Sequence, residues 1–194
     1  DMQLFNALDI TFDWFRERRS NIFQQKESIP NYLGTANTKI YGNLAEVVNQ
    51  GFDMAVNYSK RINQDLSIQF QGTFTYNNNH ISIYDEAPGT RPAMKKQGKN
   101  VNTVLGYVAN GLYIDKADIK NNPTSTLGNI AIAPGDIKYV DQPDKDGNYD
   151  GRITADDKVP LGVSVPKIIY GFGPSIGYKN WDFSVFFQGR GNVA

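Results

Sequence analysis

Apolar residues fall at every second position in several separate runs of this chain. Leu8, Ile10, Phe12 and Trp14 alternate with Asp9, Thr11 and Asp13. Gly51–Tyr58 sets Phe52, Met54, Val56 and Tyr58 against Asp53, Ala55 and Asn57. Leu66–Tyr76 sets Leu66, Ile68, Phe70, Phe74 and Tyr76 against Ser67, Gln69, Gln71, Thr73 and Thr75. A period of two predicts strands, each with one apolar and one polar face. Two further aromatic strands are expected at Ile168–Tyr178 and Trp181–Gln188, joined by a Lys179-Asn180 turn. Ile62–Asp65 reads as a tight connection that makes the second and third strands a hairpin. The charged run Arg16-Glu17-Arg18-Arg19 reads as the first strand continuing into solvent, with the solvated face of a short helix as the alternative.

The connections are sorted by length. Those after the second and fourth strands are short, whereas Ser28–Asn43, with Pro30, Gly34 and Gly42, and Asn77–Pro166 are long. Asn77–Pro166 is rich in Gly, Pro, Asn and Asp; only short apolar pieces such as Val104–Val108 and Gly111–Ile114 interrupt it, with one helical turn expected over Ala117–Asn121 before Asn122-Pro123. Short turns at one rim and long loops at the other are the asymmetry of outer-membrane barrels. Trp14, Tyr58, Tyr76, Tyr178 and Trp181 also sit near strand ends, where an interfacial aromatic girdle would place them. The pattern therefore favours an all-β fold, antiparallel strands of a large transmembrane β-barrel carrying a long extracellular loop, over a soluble β-domain. A soluble sandwich would alternate too but has no reason to sort its loops.

Composition narrows the chemistry. Twenty basic and twenty acidic residues leave no net charge, so nothing pulls the chain toward nucleic acid. There is no cysteine, and His80 is the only histidine, which we read as a loop residue. Disulfide scaffolds, thiolate metal sites and Ser/His or Cys/His catalysis have almost nothing to work with. Mean hydropathy is −0.48, and no apolar run reaches the ~18 residues of a membrane helix. Barrel strands hide their apolar residues at alternate positions, so that value leaves a membrane open. The N-terminus DMQLFNALDI has no signal-peptide pattern, and the chain is expected to be a piece of something longer.

One motif points to a cation. Asp146-Gly147-Asn148-Tyr149-Asp150-Gly151 fits the D-x-[DN]-x-[DN]-G start of a calcium loop. Asp146, Asn148 and Asp150 would supply side-chain oxygens, Arg152 its carbonyl, and Thr154 a direct or water-mediated contact. Asp157 stands where a bidentate Glu is usual, and Ile153 would anchor the loop to a core. No long helices flank it, so bound Ca2+ would make this a calcium-loop-like turn and not an EF-hand domain. The alternative is a set of tight Asp-Gly and Asn-Gly turns.

Several segments in one order carry a resemblance. Gly42–Phe52 introduces the hairpin; Gly106-Tyr107 runs on to Tyr113; then follow Pro134–Tyr139, Asp150–Ile153, Leu161-Gly162, Tyr170–Gly173 and Asp182–Gly189. From about Gly42 to its end the chain resembles the SusC/RagA family of TonB-dependent outer-membrane transporters, which import glycans or peptides in Bacteroidetes. The resemblance implies the C-terminal half of a barrel of roughly 22 strands with a plug in its lumen. On that reading residues 1–76 hold three strands, 77–166 the long extracellular loop, and 167–194 two more strands, the N-terminal plug and remaining barrel being absent. Implied partners are a SusD-like surface lipoprotein, TonB through the missing N-terminal part, the rest of the same barrel, an oligosaccharide or peptide substrate, and lipid. Tyr84, Tyr107 and Tyr113 are candidate substrate-stacking residues in the loop.

Two other functional classes compete. A soluble calcium-stabilised β-module for adhesion or glycan binding explains the acidic loop but not the sorted connections. A two-carboxylate glycosidase would need an acid pair in a recognisable setting, and none stands out. No catalytic step is expected.

Overall fold

The computed structural model describes residues 1–29, 39–129, 131–144 and 146–194. The expected loop Ser28–Asn43 falls mostly on residues 30–38, outside the described ones. In chain order the strands are β1 (Met2–Leu4), β2 (Leu8–Gln25), β3 (Tyr41–Arg61), β4 (Leu66–Ile83), β5 (Thr103–Gly106), β6 (Ala109–Leu112), β7 (Thr124–Ser125), β8 (Ile137–Tyr139), β9 (Arg152–Ile153), β10 (Val159–Val163), β11 (Ile168–Tyr178), β12 (Trp181–Ser184) and β13 (Phe187–Gly191), with one short helix, α1 (Lys116–Asn121). One seven-stranded sheet runs β1-β2-β3-β4-β11-β12, with β13 also on β11. Two compact units divide the residues: Asp1–Arg19, Val47–His80 and Ser164–Val193 in the first, Ser20–Glu46, Ile81–Val163 and Ala194 in the second.

In the first unit the alternation seen in the sequence becomes two chemically distinct faces. β4 and β11 pair antiparallel without a slip, so Leu66 meets Tyr178, Ile68 Ile176, Phe70 Pro174, Phe74 Tyr170 and Tyr76 Ile168. Because side chains alternate, all of these share one face. The other face carries Ser67 opposite Gly177, Gln69 opposite Ser175, Gln71 opposite Gly173 and Thr73 opposite Gly171. Stacked rings run across the apolar face, with Phe12 5.6 Å from Phe52 and Phe52 5.7 Å from Phe74. Such cross-strand pairs each add about 0.5–1.5 kcal/mol beyond their buried area.

The 11 residues of β11 extend about 36 Å, and a tilt near 45° reduces that to a height of about 25 Å. That is the height of the lipid-facing band of an outer-membrane strand. Phe12, Trp14, Phe70, Phe172, Ile176, Phe183 and Trp181 remain exposed. An apolar surface this continuous marks a face that meets lipid or another chain.

Three short turns lie at one rim of this unit. Ile62–Asp65 links β3 to β4, and Lys179-Asn180 links β11 to β12; the Lys179 N–H donates 2.8 Å to the Asp65 carbonyl and ties the two together. The third, before β2, was not expected from the sequence. Phe5 and Asn6 both adopt positive φ, as a type I′ turn requires, and close the β1–β2 hairpin. The Ser59 N–H donates to the Ala7 carbonyl, which places this turn beside the end of β3.

The strands differ from the expected ones in three places. β2 and β3 are 18 and 21 residues long; the first strand continues through Arg16–Arg19 as expected, whereas Gly42 and Asn43 belong to β3 and not to a loop. β4 runs on to Ile83, so His80 is a strand residue and not a loop residue. The expected strand Trp181–Gln188 is interrupted at Val185-Phe186 although β12 and β13 keep a common register on β11. Proline explains the gap. The Val185 N–H donates 3.1 Å to the Pro174 carbonyl, but Pro174 has no N–H to return the bond.

Phe186 then lies on the polar face. A Cβ on Gly171 would stand 2.7 Å from its ring, and one on Gly173 2.8 Å from it and 2.6 Å from the Val185 carbonyl oxygen. Both glycines are there because the ring rests on their backbone.

The second unit is a set of small ladders, β5 with β10 and β6 with β8 antiparallel, β7 with β9 parallel. α1 spans the expected helical turn, with the Asp115 carboxylate accepting from the Asp118 N–H at its start. Ala45, Ile81, Tyr113 and Ile153 form its buried apolar positions, Ile153 completely.

Candidate functional site

The acidic loop is organised by hydrogen bonds within the protein. Asp144, outside the expected ligand set, accepts from the Asp146 and Asn148 N–H groups at 2.8 and 2.9 Å. Gly147 and Gly151 take positive φ at the two reversals. The Asp150 carboxylate accepts from the Arg152 N–H at 2.9 Å, and Asp141 accepts from the Gly151 N–H at 2.8 Å.

Asp157 is completely buried. One of its oxygens accepts from the Thr154 N–H at 2.6 Å and the Thr154 hydroxyl at 3.1 Å. The other accepts from the Gln142 N–H at 3.0 Å and the Arg91 guanidinium at 3.4 Å. Arg91 also donates 3.0 Å to the Gln142 carbonyl and stands 3.8 Å from the Asp150 carboxylate. Burial by itself pushes the Asp157 carboxyl up, but the Thr154 and Gln142 N–H groups, the Thr154 hydroxyl and Arg91 outweigh it and hold it below the ordinary carboxylate range.

A calcium ligand must offer a free oxygen to the ion. Asp157 has none, and the positive charge already among these carboxylates belongs to Arg91. The residues present therefore do not fit a cage closed by Asp157. Asp146, Asn148, Asp150 and Arg152 are exposed, and Thr154 caps the short turn Ala155–Asp157. Among the described residues no group of three or more His, Cys, Asp or Glu side chains is placed to hold a metal ion. The sequence did contain the competing signal: Thr154-x-x-Asp157 has capping-box spacing, with Asp in place of the usual Glu.

Asp141 balances differently. Burial raises its carboxyl above the ordinary range, the Gly151 N–H opposes this, and the Asp150 and Asp157 carboxylates add to the rise. Its second oxygen has no hydrogen-bond partner.

The three candidate tyrosines belong to three separate clusters. The Tyr84 hydroxyl donates 3.0 Å to Glu27, while the Lys96 ammonium bonds that hydroxyl at 2.5 Å and lies 4.5 Å from the ring centre. Tyr107 packs on Tyr139 at 5.3 Å, with Lys158 5.6 Å from its ring. Tyr113 is only 4% exposed and packs inside the second unit, with Lys138 5.9 Å from its ring centre.

The polar face of the sheet holds a groove that no sequence motif announced. It encloses about 400 Å³ between Asn57, Ser59, Gln69, Gln71, Ser184 and the ring of Phe186. Its hydrogen-bonding side chains are all uncharged amides or hydroxyls. Strand parity could have located these amides and hydroxyls, but the ring follows from the Pro174 interruption.

No family model matches the chain. Over 201 residues, 97% of this chain, it is 26% identical to TonB-dependent receptor P3 of Formosa agariphila, of which it covers 19%. Over 111 residues, 57% of this chain, it is 34% identical to TonB-dependent receptor P26 of the same organism, of which it covers 10%. Among solved structures it matches the RagAB peptide transporter at 18% identity with a TM-score of 0.59, over 94% of this chain and 19% of that one. It also matches the RagAB peptide importer in its open-open state at 16% identity with a TM-score of 0.61, over 97% of this chain and 19% of that one. At such identities the solved structures show a common fold. The chain spans about a fifth of the length of the first of these relatives.

Proposed function

We propose that this chain, a SusC/RagA-like segment of a TonB-dependent transporter of the outer membrane, is a stretch of barrel wall and external loop in an importer of oligosaccharides or peptides. The observation that carries this reading is the unslipped pairing of β4 with β11, which gives one face to Leu, Ile, Phe and Tyr and the other to Ser, Gln, Thr and Gly. A wall between lipid and a watery lumen needs that division. The three short turns at one rim support the same orientation, with those turns periplasmic and residues 77–166 outside. The uncharged groove beside Phe186 suits a neutral, hydrogen-bonding solute passing along the wall. The remaining strands of the barrel would pair with the open edges of this sheet. In the intact importer a surface lipoprotein would cover the external loop and TonB would supply the energy; no catalytic step is required.

The test is whether the purified segment folds without a membrane mimic. Aggregation in plain buffer, with a β-type circular dichroism spectrum only in micelles or with the rest of the barrel, is the expected result. A monomeric β-protein that unfolds cooperatively in buffer and gains stability from calcium would replace this reading with the soluble module.

A further inference from the structure

The short-turn rim carries a cluster of cations beside its aromatic side chains. Tyr178 and Trp181 pair across the Lys179-Asn180 turn on the apolar face, and Trp181 is 80% exposed. The Lys179 ammonium lies 5.4 Å from the centre of the Tyr178 ring, on that same outward side. Lys60 follows Phe52, Met54, Val56 and Tyr58 on the apolar face of β3 by strict alternation, and it is exposed. Next to it Arg61 donates 3.3 Å to the Gln64 carbonyl and so is held at the turn. The bond between the Lys179 N–H and the Asp65 carbonyl keeps the two turns that carry these cations side by side.

The described acidic groups near the rim are not ion-paired with these cations. Asp65 is the carboxylate of the Ile62–Asp65 turn, whereas Asp182 lies opposite Gly177 on the polar face. Among the described residues no ion pair joins Lys60, Arg61 or Lys179 to a carboxylate. Basic side chains at the edge of an apolar band extend their stems along it and hold their charges at headgroup depth. Tyr and Trp rings prefer that depth as well.

The geometry points to a binding site at this rim for the phosphate of an anionic glycerophospholipid, an inference that rests on the barrel reading above. Lys60, Lys179 and Arg61 take the headgroup phosphate, and Tyr178 and Trp181 lie at the glycerol level. The acyl chains follow Ile176, Phe183 and Phe70 on the apolar face. Selectivity is for negative charge, since a zwitterionic headgroup offers the same phosphate already paired with its own cation. Each basic group near such a surface contributes about fivefold in affinity.

The experiment uses the intact transporter that carries this segment, in nanodiscs of phosphatidylcholine with and without one-fifth phosphatidylglycerol. Native mass spectrometry counts the phosphatidylglycerol retained when the disc is removed. The wild type is expected to retain it in preference to phosphatidylcholine, and K60Q/R61Q/K179Q to lose most of that preference. The charge-conserving K60R/K179R is expected to keep it. Equal retention by the neutralised and wild-type proteins, both showing the same β-spectrum in the disc, would overturn the site. A protein that does not enter the disc at all would instead refute the barrel reading.

Discussion

Phe172→Arg is expected to destabilise the intact barrel by about 2–4 kcal/mol, the range for a cation near the middle of the lipid-facing band. Phe172 lies opposite Gly72, midway along the pairing of β4 with β11, and stacks on Phe187 at 5.3 Å. Gln71→Arg, one position from Gly72 but on the polar face, is expected to cost less than about 1 kcal/mol, because a lumen-facing side chain stays in water. Denaturant titration of the transporter folding into lipid vesicles measures both. Equal costs at the two positions would mean that the faces do not meet different solvents, and the membrane assignment would fail.

Arg91→Ala is the second large effect. Its side chain is 16% exposed and that of its partner Asp157 is fully buried, and removing one member of a buried pair leaves an uncompensated charge, a loss of about 3 kcal/mol. The Gln142 and Thr154 amides, both bonded to Asp157, should then exchange with deuterium on the order of 100-fold faster through local opening. Arg91→Lys should recover part of the protection, because a single ammonium keeps the charge but cannot serve Gln142, Asp150 and Asp157 together. Acid acts through the other partner. Asp157 is held below the ordinary carboxylate range, so its stabilisation is complete above about pH 4, the unfolded value, and is lost as pH falls through the depressed folded value. Protection that is unchanged in Arg91→Ala would remove Arg91 from this role.

The faces of the sheet were legible in the sequence because a register of two is written directly in residue order, and pairing preserved it. Short-range strand chemistry misled where tertiary partners decide. Asn77, Asn78, Asn79 and His80 are poor strand formers, yet the Asn77 N–H bonds the Lys167 carbonyl and β4 continues. The β1–β2 turn carries no sequence signal because Phe5 and Asn6 adopt left-handed backbone without a glycine. Pro174 could be seen in the sequence, but the gap it causes lies on the neighbouring strand, and only the register shows which residues face it. The acidic loop is a different case. Its spacing satisfied a cation motif and a capping motif at once, and the deciding residue, Arg91, lies outside the loop.

The Arg91–Asp157 contact joins residues 66 apart in sequence, and this bears on the order in which the molecule assembles. Closing that interval costs on the order of 4 kcal/mol of chain entropy, whereas the Ile62–Asp65 hairpin brings its ends together for far less. The strands are therefore expected to zip first from their short turns. On the barrel reading proposed above, the segment between Arg91 and Asp157 would close only after enough chain has followed to bring position 157 back to position 91. Pulse-labelled hydrogen exchange during folding into vesicles should protect β4 before the Gln142 amide. Simultaneous protection would show instead that the long sheet and the Arg91–Asp157 contact form in one step.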